Sequence, residues 1–199
     1  PGHYSEEEMR LLFAAAKGDP LETPITLAAY YGLRRSEGLG LKWDAVDFKG
    51  KTISVRHKVI ETTEGGKCLI RGEDVLKTKS SVRTLPLLPV IEDLLTRQKA
   101  HQEMYRTLFR SSYCTDYLDY VCVDQMGVLI RPNFVTEHFT YLLEKYGLRR
   151  LRFHDLRHTA ASLLLANGVS MKQIQIWLGH ATFSTMADIY AHLDVSAQQ

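Results

Sequence analysis

Residues 24–31, Pro-Ile-Thr-Leu-Ala-Ala-Tyr-Tyr, are apolar on almost every side. A helix with that pattern has no face to offer water and must be buried. Thr23-Pro24 opens it, with Pro24 in the first helical position, and Gly32 closes it. The chain has 199 residues, enough for one domain with a sizeable core. The buried helix runs straight into Gly32-Leu33-Arg34-Arg35-Ser36-Glu37. An arginine that closes a buried helix has its root fixed by the core, which suits a clamp. The plainer reading is that Arg34 pairs with Glu37 one turn on, worth about 0.2–0.5 kcal/mol.

Other elements follow from periodicity and caps. Ser5 and Glu8 form a capping box, and Met9, Leu12, Phe13 and Ala16 then share one helical face up to Gly18. Residues 51–60 alternate, with Ile53, Val55, His57 and Val59 on one side, as in a half-buried strand. Gly65-Gly66 signals a turn, and Cys68 to Ile70 resumes extended chain. Val75 to Leu87 reads as a tight hairpin carrying Lys77 and Lys79. Pro89 opens a helix to about Thr107, and Gln125-Met126-Gly127 turns a short hairpin between 120–124 and 128–130. Asn133 caps a helix to Tyr146, with Phe134, Val135, Phe139, Leu142 and Leu143 inward. No repeat, low-complexity tract or linker divides residues 1–199. The fold expected is one α+β domain, mainly α with a small antiparallel β-sheet.

Residues 153–190 hold the densest chemistry. His154 and Arg157 stand three apart at the start of a helix over 154–166, so their tips share a face. Asn167-Gly168-Val169 turns the chain, and Ser170 with Gln173 makes a second capping box for a helix over 171–178. Gly179 ends that helix and sets His180 at its tip. Trp177, one turn earlier, reads as core packing that positions His180, and His158 as structural. Tyr190 follows. Arginine makes planar two-point contacts to phosphate and is always charged. An arginine and two histidines beside a tyrosine nucleophile suit metal-free phosphoryl transfer.

Net charge is only +2, so charge placement matters more than balance. Lys145, Arg149, Arg150, Arg152, Arg157 and His158 form one cluster, and Lys67, Arg71, Lys77, Lys79 and Arg83 another. Cys68, Cys114 and Cys122 show no metal spacing and fit a reducing interior. No apolar span of transmembrane length appears, and a cytoplasmic protein is expected.

The order His-x-x-Arg, Leu-Gly-His and then a tyrosine, here His154/Arg157, Leu178-Gly179-His180 and Tyr190, resembles the tyrosine recombinases, the phage integrase family. Integrases of phages and conjugative transposons are the most similar kinds. The resemblance implies the catalytic-domain fold shared with type IB topoisomerases. It assigns Arg34, in its Gly-Leu-Arg-x-x-Glu context, as a first catalytic arginine. It places a catalytic lysine on a β-hairpin, at Lys77 with Lys79 as second candidate. His154, Arg157 and His180 complete the site, with Tyr190 as nucleophile. The implied reaction cleaves and rejoins DNA through a 3′-phosphotyrosine, with no metal, cofactor or ATP, to integrate or excise a mobile element. The implied partner is double-stranded DNA at recombination sites, bound by a homo-oligomer, a tetramer on DNA. The N-terminal helical domain with which the family closes around DNA is expected to lie outside this chain.

Two other classes compete. Helix, Asn-Gly-Val-Ser turn and helix also match a helix-turn-helix, so a DNA-binding regulator without catalysis is the alternative. It leaves Arg34, Lys77 and Tyr190 without a role. His154-Asp155-x-x-His158 invites a metal reading, but Asp155 stands where zinc proteases have Glu, and no third ligand is apparent.

Overall fold

The computed structural model describes residues 2–75 and 82–179. The fold is helix-rich with two small antiparallel sheets, in the order α1 (Glu6–Ala16), α2 (Glu22–Tyr31), α3 (Arg35–Leu39), β1 (Val46–Asp47), β2 (Thr52–Val55), β3 (His57–Glu64), β4 (Lys67–Asp74), β5 (Arg83–Pro86), α4 (Pro89–Phe109), α5 (Pro132–Lys145), α6 (Asp155–Ala166) and α7 (Met171–Leu178).

The apolar helix is α2, and it is central. Thr23, Pro24, Ile25, Thr26, Leu27, Ala28 and Tyr31 are all buried, and α6 packs along it. Burying each Ile or Leu side chain of this kind contributes about 1.5–3 kcal/mol. The helix begins two residues earlier than Pro24 implied, because the Gly18 amide donates to Glu22 Oε2 and holds that first turn. Its C-terminal turn is a hub. The Tyr31 hydroxyl donates to the Pro86 carbonyl at 2.8 Å and accepts from the Leu88 amide at 3.1 Å, fixing the end of β5 and the start of α4. The Tyr30 carbonyl accepts from Trp177 Nε1 at 3.1 Å, which fixes α7.

The alternating stretch 51–60 holds its inward face at Ile53, Val55 and Val59, but it is not one strand. It breaks at Arg56: β2 joins β1 and β5 in one sheet, while β3 pairs with β4 in a separate two-stranded hairpin. The turn of the hairpin expected over 75–87 lies outside the described residues, which show only its second arm, Arg83–Pro86, paired with β2. Its flanking strands, β4 and β5, belong to different sheets. Lys77 and Lys79 lie outside the described residues, as do His180 and Tyr190.

Both capping boxes are present, Ser5 with Glu8 and Ser170 with Gln173. In α5, Pro132 takes the first helical position with Arg131 as cap, displacing the role expected of Asn133. Val135, Phe139, Leu142 and Leu143 enter the core, whereas Phe134 stays outside and stacks on His138, one turn along the same face. The hairpin around Gly127 is reduced to one bridge, Val123 with Leu129. Among the described residues, no helix is long and apolar enough to cross a membrane.

Candidate functional site

Three of the expected site residues converge where α2 ends. Gly32 closes α2 in a left-handed turn at φ 63°, and Leu33 then buries itself. That turn delivers Arg34 to the cap position of α3, with its side chain about half exposed. Glu37, the next turn of α3, is buried beneath it. The Arg34 amide donates to Glu37 Oε2 at 2.9 Å and Arg34 Nη1 to Oε1 at 3.1 Å. The intrahelical pair weighed as the plain reading is thus present, and it coexists with a side chain that faces solvent.

Arg157 lies one turn into α6 and is only 3% exposed. Its guanidinium donates from Nη1 to the Gly32 carbonyl and from Nη2 to the Leu178 carbonyl. Among the described residues, no carboxylate lies within ion-pair distance of it. Burial, and then the charge of Arg34, lower its pKa to about 9, so it remains a cation at neutral pH. His154 sits at the cap of α6, on the same face as Arg157, exposed as a residue but with its ring partly withdrawn from water. Burial of its ring, then the Arg157 charge, push its pKa below the ordinary value and favour neutral imidazole at pH 7. The positive charge of Arg34 also lowers the pKa of both groups.

The start of α6 is held rigidly. Asp155, 2% exposed, accepts from Arg152 at its backbone amide, Nε and Nη2, at 3.2, 2.9 and 2.8 Å. That carboxylate is occupied, and the His154 and His158 rings meet edge to face at 5.6 Å, an arrangement of aromatic packing and not of shared ligation. Thr159 accepts from the Tyr4 amide at 3.0 Å, tying α6 to the start of the chain.

Arg83 is the residue that pattern reading left in a charge cluster. It is 8% exposed and points inward from β5. Its Nη1 and Nη2 reach Glu37 at 3.4 and 3.2 Å, and its Nε donates to the Trp177 carbonyl at 3.0 Å. A signal was available, since Arg83, Leu85 and Leu87 share the buried side of an alternating strand where a charge is out of place. Among the described residues, Arg34 and Arg83 both pair with Glu37, and the charge of Arg157 also acts with that carboxylate, an excess of two positive charges. Burial raises the Glu37 pKa, but Arg83, assisted by the Arg34 amide and charge, outweighs it and holds the carboxyl below its ordinary range.

Helices α6 and α7 do make a helix-turn-helix, but α7 is committed to the domain. Ile174 and Leu178 are buried against Ala161, Trp177 packs on Tyr31 with ring centroids 5.7 Å apart, and the last α7 carbonyls serve Arg83 and Arg157. Trp177 is therefore core packing, as expected. The geometry gathers Arg34, His154, Arg157 and the Leu178-Gly179 turn into one electropositive corner suited to an anion.

The model of the phage integrase family matches residues 4–197. A XerC-like tyrosine recombinase of Caldanaerobacter subterraneus is 31% identical over 195 residues, covering 96% of this chain and 50% of that protein. The ICEBs1 integrase of Bacillus subtilis is 29% identical, covering 98% and 52%. The chain spans about half the length of these curated relatives. Among solved structures, XerA recombinase superposes with a TM-score of 0.72 at 27% identity, covering all of this chain and 62% of its own. The Tn1549 transposon integrase, in complex with circular intermediate DNA, gives a TM-score of 0.76 at 20% identity over 100% and 67% of the two chains.

Proposed function

Because the chain belongs to the phage integrase family, we propose that it is the catalytic domain of a tyrosine recombinase acting on double-stranded DNA. The observation that carries this reading is the setting of Arg157, a buried cation held by two backbone carbonyls beside the half-exposed Arg34. Such a pair is suited to the non-bridging oxygens of a phosphodiester and to the extra charge of a pentavalent transition state. Structures of related integrases with DNA give the ligand class further support.

In the reaction we assign, Tyr190 is the nucleophile. A free tyrosine has a pKa near ~10, so about one in a thousand is ionised at pH 7. Its proton therefore has to leave as the bond forms, and His154 or His180 accepts it. The phenolic oxygen bonds to phosphorus, the bond from phosphorus to the 5′ oxygen breaks, and a 3′-phosphotyrosine results. Lys77, or Lys79 in its place, protonates the departing 5′ oxygen. The covalent link conserves the bond energy, so the 5′-hydroxyl of another strand reseals it without ATP, metal or cofactor. The chain acts as one catalytic domain with a separate DNA-clamping region, as a tetramer on DNA, in the integration or excision of a mobile element. Its unpaired cysteines suit a cytoplasmic setting.

Incubating the protein with two DNA segments carrying the element's junction sequences tests this. Exchange of flanking DNA between paired sites is expected. Binding to the junctions without any strand breakage would instead favour the helix-turn-helix regulator.

A further inference from the structure

Arg34 and Arg83 share Glu37, but not equally. Arg83 is enclosed: its side chain is 7% exposed, its Nε is committed to the Trp177 carbonyl, and both terminal nitrogens face the carboxylate. Gly179 leaves the room that its side chain occupies. A Cβ there would lie 2.8 Å from Arg83 Nη1, and the backbone at φ 67° already favours glycine. Arg34 is 47% exposed and gives the carboxylate one side-chain nitrogen. An exposed ion pair is weak and easily exchanged, whereas a buried carboxylate stripped of its counter-charge is strongly destabilised.

We propose that Arg83 is a positioning residue: as the resident counter-ion of Glu37, it leaves the Arg34 guanidinium free to transfer onto a phosphate. This rests on the assignment of Arg34 as a phosphate clamp. With Arg83 in place, Arg34 leaves Glu37 without abandoning a bare buried charge. Without Arg83, Arg34 is the remaining guanidinium on Glu37, and a phosphate must compete with a buried carboxylate for it. The same side chain ties β5, directly after the lysine-bearing segment, to the carbonyl of Trp177 just before Leu178-Gly179.

The test compares this chain with Arg83→Met, Arg83→Met/Glu37→Gln and Arg83→Lys in single-turnover formation of the covalent DNA adduct. Arg83→Met is expected to slow it by roughly 10–100-fold, the scale of a misplaced site group. Removing the carboxylate charge as well is expected to restore at least about tenfold of that loss, since Arg34 is then no longer sequestered. A purely structural tie would not be mended by a second substitution in the core. A double variant as slow as Arg83→Met therefore overturns the proposal. Arg83→Lys keeps the buried charge and is read if the Met variants do not melt cooperatively. It is expected within about tenfold of wild type, and a loss as deep as that of Arg34→Ala would contradict the counter-ion role. Guanidinium NMR during titration with inorganic phosphate gives a readout that needs no cleavage. The Arg34 signal is expected to move in wild type and in the double variant but not in Arg83→Met. Equal movement in all three overturns the proposal. If those signals behave as expected while wild type forms no adduct, the recombinase assignment fails and the positioning role stands.

Discussion

Arg157 donates to the carbonyl of Gly32, a residue 125 positions earlier in the chain. Among the described residues, the guanidinium is therefore aimed by the end of the central helix and by the Leu178 carbonyl, not by a carboxylate that would neutralise it. Arg157→Lys keeps the charge but reaches only one of the two carbonyls. Loss of one charged hydrogen bond is expected to cost about 1.5–3 kcal/mol of stability, together with loss of DNA cleavage. Urea unfolding checks the first part, and unchanged stability would show that the two carbonyls do not hold the side chain.

Gly32→Ala tests the same hub from its other side. The left-handed backbone costs a non-glycine residue about 1–2 kcal/mol. The added Cβ also runs into the Leu178 side chain, and overpacking of that sort costs about 1–3 kcal/mol more. A clearly lower melting temperature is expected. Gly18, also at positive φ but with open space around its Cβ position, is the control and should show the backbone cost alone.

The histidines make a pH prediction. Burial and the Arg157 charge lower the His154 pKa, and burial and His154 lower that of His158. The folded state thus binds fewer protons than the unfolded chain. Their contribution to stability is complete above about 6.5 and is lost as pH falls below it. In an NMR titration, His154 is expected to have a midpoint below 6.5, and Arg157→Met should move it upward. A midpoint at or above 6.5 would be inconsistent with the site electrostatics.

At lower pH the carboxylates dominate. Glu61 accepts from Cys68, from the Asn133 amide at the start of α5 and from Arg131, which together bring its pKa to about 2. The hydrogen bonds from Arg149 bring Glu8 to about 2 as well. Both values lie below the ordinary 4.5, so the stabilisation is full above 4.5 and is lost as pH falls toward 2. Glu61→Gln and Glu8→Gln are expected to be less stable at pH 7 but to lose less on acidification. Melting curves parallel to wild type across that window would contradict this.

Lys77 and Lys79 are separated by substrate chemistry. A 5′-bridging sulfur leaves without a proton, so it should rescue cleavage by Lys77→Ala but not by Arg34→Ala or Arg157→Ala, where about 10²–10³ of rate rests on charge stabilisation. Lys79→Ala should cleave normal DNA. Rescue confined to Lys79→Ala would move the general acid to that residue.

Local periodicity carried most of the fold. The central helix, both capping boxes and the core positions of α5 could be read because each depends on neighbours within a turn or two. What could not be read depends on partners distant in the chain. Nothing local to residues 51–60 says that the chain changes sheets at Arg56, since inward alternation continues through the break. Phe134 fits the apolar face of α5 by spacing, yet it stays exposed and stacks on His138. Arg34, His154 and Arg157 were legible as a set through motif order. Arg83 was not, because its partners, Glu37 and the Trp177 carbonyl, lie 46 and 94 residues away.

The central claim is that Tyr190 attacks a phosphodiester held by arginines. A nicked duplex that traps the cleaved strand, incubated with wild type and Tyr190→Phe in EDTA, tests it most directly. A covalent protein–DNA species with wild type, absent with Tyr190→Phe and undiminished by the chelator, is the expected result. An adduct that persists in Tyr190→Phe, or cleavage that disappears in EDTA and returns with Mg²⁺, would contradict it.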